Sequence, residues 1–254
     1  MLRTNLLQWL LTTSATLLVG QPIDSTVILE PVIIKLYPSE RPSYFSPSSI
    51  SAIGPEVLDK QSPGSLLPSL NTVAGVRMEE RSPGSYRVSI RGSLLRAPFG
   101  VRNIKVYLDA FPLTDAGGNT YLNILDPAAI KRIEILKGPE GSIYGANTGG
   151  VLQLSPWQAG PKSSQGHAGI SGGSYGLLMQ HMDYEQHKAK TSFKIFQGIQ
   201  KAEGYRRNSA MSRYFLQGLF TYHLDEKSRL KLLGMYSDLR YATPGGLTEA
   251  QADT

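Results

Sequence analysis

Three stretches in the second half of the chain alternate or run apolar for about ten residues each, the length of a membrane-crossing β-strand. In Ser212–Leu224 the even positions read Ser, Tyr, Leu, Gly, Phe, Tyr, Leu, and the odd positions Arg, Phe, Gln, Leu, Thr, His. In Arg229–Leu239, Leu230, Leu232 and Tyr236 share one face, with Arg229, Lys231 and Ser237 on the other. Ser192–Gln200 is similar in length, and the stretches are separated by polar turns (HKAKT, HLDEKS). One apolar face with aromatic residues near its ends, opposite a mixed polar face, is the pattern of transmembrane β-strands, although a sandwich alternates in the same way. Upstream the runs are shorter. Tyr86–Ile90, Ile104–Leu108 and Arg132–Leu136 have strand length and end at turn residues. Leu66, Leu67, Leu70 and Val73 recur at near-helical spacing, with Gly75 as a stop. Asp126 followed by Pro127 predicts a helix start, with Asp126 as N-cap. Residues 50–156 therefore predict an α+β domain, and 157–254 antiparallel β-strands.

The N-terminus reads differently. After Arg3, an apolar stretch from Leu6 to Gly20 is too short to span a bilayer, which takes about 20 apolar residues. It predicts a secretory signal peptide over residues 1–20, with cleavage around Val19–Gln21. Residues 21–49 then hold two β-prone runs, Val27–Leu29 and Val32–Leu36, separated by Pro31. A Pro/Ser-rich stretch from Pro38 to Ser49 follows and predicts a flexible tether. The strip Val27, Ile28, Leu29, Glu30, Pro31, Val32, Ile33, Ile34 would thus hang on a linker, suited to adding a strand to a partner's sheet edge.

Composition narrows the chemistry. The absence of cysteine excludes disulfides, thiolate metal sites and cysteine nucleophiles. His167, His181, His187 and His223 are scattered and offer no zinc-binding spacing. The net charge of +6 lies mostly beyond Gly160 and forms no basic stripe with aromatic platforms, so nucleic acid is not an expected partner. One segment, IEILKGPEGSIYGANTGGVLQL, invites an active-site reading. Yet Ser142 lies in G-S-x-x-G rather than G-x-S-x-G, and Lys137 precedes the glycines rather than closing a phosphate loop. The segment reads as two strands, Ile133–Leu136 and Val151–Leu154, joined by a turn built on Gly138, Pro139, Gly141, Gly145, Gly149 and Gly150, with Tyr144 as a packing anchor. No residue is assigned a catalytic or metal-binding role, and no cofactor is expected.

The runs VSIRGS (Val88–Ser93), NIKVYLDAFPLTDAGGNT (Asn103–Thr120) and LDPAAIKRIEILKGPEGSIYGANTGGVLQLSP (Leu125–Pro156) together resemble the plug domain of TonB-dependent outer-membrane receptors. LLPSLNTVAGVRMEE before them, and YGLLMQHMDYE, QKAEGYRRNS and PGGLTEAQ after them, extend the resemblance into the first barrel strands. Ala110 departs from the glycine usual in the family's LDG-P turn. The resemblance implies a plug inside a 22-stranded barrel, so the chain is expected to be an N-terminal part with an incomplete barrel. It implies uptake of a scarce nutrient, typically an iron–siderophore complex or cobalamin, driven by a TonB-type protein of the inner membrane, with outer-membrane lipid around a monomer. Residues 21–49 would carry the TonB box, within STVIL or EPVII. Arg91 (beside Gly92) and Lys137 match basic positions that face barrel carboxylates, and Glu134 is grouped with them or pairs with a neighbouring plug arginine. Arg96, Arg102 and Tyr121, on loops Ser93–Arg102 and Asp115–Tyr121, are the ligand-contact candidates. The alternative is a soluble periplasmic plug-fold protein for binding or signalling.

Overall fold

The computed structural model describes residues 33–34, 41–42, 49–94, 100–138, 144–145, 149–157 and 164–245. All belong to one unit, Val32–Thr254. Its first pairing is brief: β1 (Ile33–Ile34) lies antiparallel to β2 (Arg41–Pro42). The linker reading did not anticipate this contact, because a strand holding a proline carries no sequence signal beyond its neighbours'.

The N-terminal layer starts at β3 (Ile50–Ile53), followed by the single-turn helices α1 (Pro55–Leu58) and α2 (Leu67–Leu70). A hairpin comes next, β4 (Val76–Ser82) and β5 (Ser85–Ile90), turning at Pro83-Gly84. Then come β6 (Ile104–Leu108), β7 (Phe111–Pro112), two 3-10 turns (Leu122–Ile124 and Pro127–Ala129), β8 (Arg132–Lys137) and β9 (Gly150–Ser155). The main sheet has the order β3-β8-β9-β6-β7 and is mixed: β6 and β9 run parallel, the other neighbours antiparallel. Its central strands are covered on both sides, so β8 reads as a continuous buried run rather than an alternating one.

Propensity and packing agree over most of this layer. β6 has the predicted bounds and β5 and β8 each add one residue. Val76 and Met78 of β4 face inward and Arg77 outward. The expected helix over Leu66–Val73 shrinks to one turn, because the Asn71 side chain bonds back to Met78 instead (2.8 Å from the Met78 N–H, 3.1 Å to its carbonyl). Asp126 does cap, accepting from the Ala128 N–H at 3.0 Å, but over a single 3-10 turn.

The second sheet is an antiparallel meander of β10 (Gln165–Gly173), β11 (Leu177–His187), β12 (Thr191–Ala202), β13 (Met211–His223) and β14 (Arg229–Tyr241). Its register is continuous from strand to strand. In β13 the odd positions Arg213, Phe215, Gln217, Leu219 and Thr221 are buried, whereas Tyr214, Leu216 and Tyr222 are exposed. Leu230, Leu232 and Tyr236 of β14 are exposed as well. The apolar stripe therefore points away from the rest of the protein, the reverse of a water-soluble sheet. The buried cluster nevertheless crosses between sheets: Phe196 and Phe215 join Val106, Leu108, Ile133, Ile135, Leu152 and Leu154. Fully burying each such side chain contributes about 1.5–3 kcal/mol.

Candidate functional site: a charged seam between two sheets

Where the meander faces the N-terminal layer, its inward side is rich in ionisable groups. Register sets this up, because a period of two places Asp183, Glu185, Lys194 and Arg213 on the same side as Phe196 and Phe215. Lys194 is nearly inaccessible and donates to Glu185 at 2.8 Å, with Asp183 3.9 Å away. His187 lies 2.6 Å from the other Glu185 oxygen, and His167 lies 3.3 Å from Asp183. Two carboxylates and a lysine can share so dry a position because each charge has an opposite neighbour.

Among the described residues two ion pairs cross the seam, and a third cation acts across it. Lys131 of the N-terminal layer approaches Asp183 at 3.8 Å. Asp109, in the β6–β7 turn, accepts from Lys231 of β14 at 2.5 Å. Arg213 of β13 is held by Gln200 of β12 at 3.2 Å, and its positive charge acts on Glu80, Tyr86 and Asp126 of the N-terminal layer. Burial pushes the Asp126 carboxyl above the ordinary aspartate range, opposed in turn by the Ala128 N–H, Arg213 and His181. Beside this group a cavity of about 200 Å³ opens between the sheets, with Asp59, Ser62, Lys131 and His181 among its lining residues.

The residues singled out in the sequence are placed as follows. Val27 to Val32, Arg96, Pro139 and Gly141 lie outside the described residues. Arg91 sits just after β5 with φ 49, and its guanidinium lies beside Gly138, which brings it next to Lys137. The Lys137 ammonium donates to the Ala74 carbonyl at 2.7 Å, and burial, then Arg91, holds its pKa below the usual lysine value. Glu134 is buried and accepts from Arg132 of its own strand at 2.8 Å. Arg102 and Tyr121, both exposed, flank the backbone bridge between Val101 and Thr120. Tyr144 packs edge-on against Tyr107 with ring centroids 5.5 Å apart. Gly92, Gly138 and Gly145 adopt positive φ angles of 76, 104 and 100. Gly150 (φ 134) is the most constrained: a Cβ there would collide with the Leu136 carbonyl. Gly149 likewise approaches the Asn103 carbonyl.

Sequence reasoning missed Asp183, Glu185, Lys194 and Arg213. Their signal was present as charged residues on the face opposite an apolar stripe, but the partners on the other sheet are far away in the chain.

Residues 42–151 match the sequence model of the TonB-dependent Receptor Plug Domain. The Ferrioxamine receptor of Yersinia enterocolitica is 25% identical over 146 residues, which cover 58% of this chain and 20% of that receptor. The Vitamin B12 transporter BtuB of Vibrio vulnificus is 23% identical over 164 residues, 62% of this chain and 26% of BtuB. The chain thus spans about a fifth to a quarter of the length of these relatives. Among solved structures, FpvA of P. aeruginosa, bound to a heterologous pyoverdine, superposes with a TM-score of 0.63 at 18% identity, over 79% of this chain and 26% of FpvA. The ferric enterobactin receptor PfeA gives 0.57 at 18% identity, over 76% and 33%.

Proposed function

We propose, from the premise that this chain belongs to the TonB-dependent receptors through its plug domain, that it is the plug and first wall strands of an outer-membrane receptor importing a scarce nutrient. The observation that carries this reading is the meander's polarity. Its apolar face is turned outward, as a lipid-facing wall requires, while its charged face is seated on the plug. Among the described residues β10 and β14 are sheet edges, and an open edge in hydrocarbon costs several kcal/mol per unpaired backbone group. On this reading such edges would pair with neighbouring wall strands around the plug.

The substrate proposed is a metal chelate, and first an iron–siderophore complex. This rests on relatives whose names specify ferrioxamine, hemin and vitamin B12. Arg102 and Tyr121, with Arg96 on the neighbouring loop, would meet an anionic or aromatic chelate. Arg91 and Lys137 concentrate two positive charges at one spot and would face wall carboxylates, while Glu134, grouped with them, is buried beside Arg132. The strip Val27–Ile34 would pair edge-on with a TonB-type protein of the inner membrane, where backbone hydrogen bonds resist a pulling load. Export through residues 1–20 would deliver the chain to the outer membrane. The reading assigns no catalytic step.

Deleting Val27–Ile34 tests it. Energy-dependent uptake of the iron chelate should stop while chelate binding to cells persists. Uptake at the wild-type rate would overturn the tether assignment, and recovery of the full-length protein in the soluble periplasmic fraction would overturn the receptor reading itself.

A further inference from the structure

One corner of the plug meets the wall at a place shaped to receive it. The 3-10 turn Pro127–Ala129 is capped by Asp126, whose side chain is 6% exposed and points toward β12. Opposite it stands Gly198, on the inward face of β12, where a Cβ would collide with the Asp126 carboxylate. Every other inward position of β12 from Ser192 to Gln200 carries a side chain, so the missing Cβ is local to this contact. Two residues on, Gln200 holds the Arg213 guanidinium, and Arg213 is 2% exposed. His181 stacks on Phe196 across the strand pair and lines the same small void as Asp126 and Gln200.

We propose that Gly198, Gln200 and Arg213 form a socket in the wall that seats the Asp126 corner of the plug, with the cation on the wall and the carboxylate on the plug. The polarity is opposite to that of Arg91 and Lys137, whose cations belong to the plug. Glu80 and Tyr86 lie within reach of the same guanidinium charge, so Arg213 also tethers the β4–β5 hairpin. Arg213 is itself buried, and its positive charge acts from the wall on Asp126 of the plug. Losing one partner leaves the other buried and uncompensated. The proposal rests on the plug-and-wall reading above, and Asp126 and Arg213 act by positioning the plug.

The experiment uses the receptor purified from outer membranes, with Ala128→Cys as a reporter beside Asp126. These 254 residues contain no other cysteine. The rate of maleimide labelling reports how often this corner leaves the wall, and it needs neither ligand nor energy source. R213Q and D126N should each raise the rate about tenfold, and the double variant should match the worse single, as partners in one contact do. R213K should restore part of the slow rate. G198A should raise the rate by displacing the carboxylate without removing a charge. Should R213Q fail to reach the membrane, D126N and G198A carry the test. Wild-type labelling in D126N and G198A, or effects that multiply in the double variant, would overturn the socket. Loss of uptake with labelling unchanged would count against the socket and leave the transport reading standing.

Discussion

The plug sheet and the wall sheet are built from similar residues and obey opposite rules. In the plug, β8 and β9 bury Ile133, Ile135, Leu152 and Leu154 completely, and solvent takes the charged positions of β4. In the wall, Leu216, Leu230, Leu232 and Tyr236 are exposed, while Asp183, Glu185, Lys194 and Arg213 are buried. Alternation with a period of two appears in both regions and says only that a strand has two different faces. Which face meets the interior depends on whether the far side is water or hydrocarbon. A charge is tolerated inside the wall because the plug and neighbouring strands supply its partner. On the proposed reading, a leucine is tolerated outside because lipid replaces water.

That contrast can be broken at several points, in descending order of expected effect. Lys194→Met removes the cation between Asp183 and Glu185 and leaves two buried carboxylates facing each other, which should cost about 3–5 kcal/mol. Urea unfolding of the receptor in detergent measures it, and a loss below 1 kcal/mol would mean that the network is solvated. Leu152→Ala in the plug should cost about 2–5 kcal/mol by cavity formation. The same leucine-to-alanine change at exposed Leu232 should cost far less in detergent, and equal losses would erase the distinction between the sheets. Leu232→Arg should cost about 2–4 kcal/mol in a bilayer if its depth is near the midplane, and little in a water-exposed sheet. Recovery of the folded receptor from outer membranes distinguishes the two.

The smallest effect is a pH dependence at the β13–β14 turn. The Lys227 and Ser228 N–H groups bond the Asp225 carboxylate at 2.8 and 2.7 Å and lower its pKa below the ordinary 3.8. A carboxyl with a depressed folded pKa contributes its stabilisation above the unfolded value and loses it as pH falls through the folded one. Protection of the Lys227 and Ser228 amides, measured against an unstructured chain at the same pH, should therefore fall as pH drops below 3.8, and D225N should flatten that profile. A profile in D225N identical to that of the unchanged chain would refute the turn's dependence on this charge.

Much of the fold was legible because local rules and tertiary packing coincide in it. Ile104–Leu108 and Arg132–Lys137 are apolar runs that end up in the middle of a sheet, so burial reinforces propensity. β13 and β14 were legible from alternation as strands with one apolar and one mixed face, but which face turns outward was not, since a sandwich alternates in the same way. β10 was not singled out, since QGHAGISGG has too few apolar residues to announce a strand; pairing with β11 along its whole length defines it. The seam was illegible for another reason. Asp109 and Lys231, or Asp126 and Gly198, meet across long loops of chain, and nothing near either residue names its partner. Glu134, expected either with the latch or beside a neighbouring plug arginine, accepts from Arg132 of its own strand.

The central claim is that β10–β14 form a wall whose outer face meets lipid and whose inner face meets the plug. Spin labels placed one at a time along β13, from Tyr214 to Tyr222, test it in native outer membranes through collision with oxygen and with a water-soluble nickel chelate. The account predicts a period of two, with high oxygen accessibility at 214, 216, 220 and 222. At 215, 217, 219 and 221 it predicts low accessibility to both reagents. Nickel accessibility at the even positions, or oxygen accessibility that does not alternate, would contradict it.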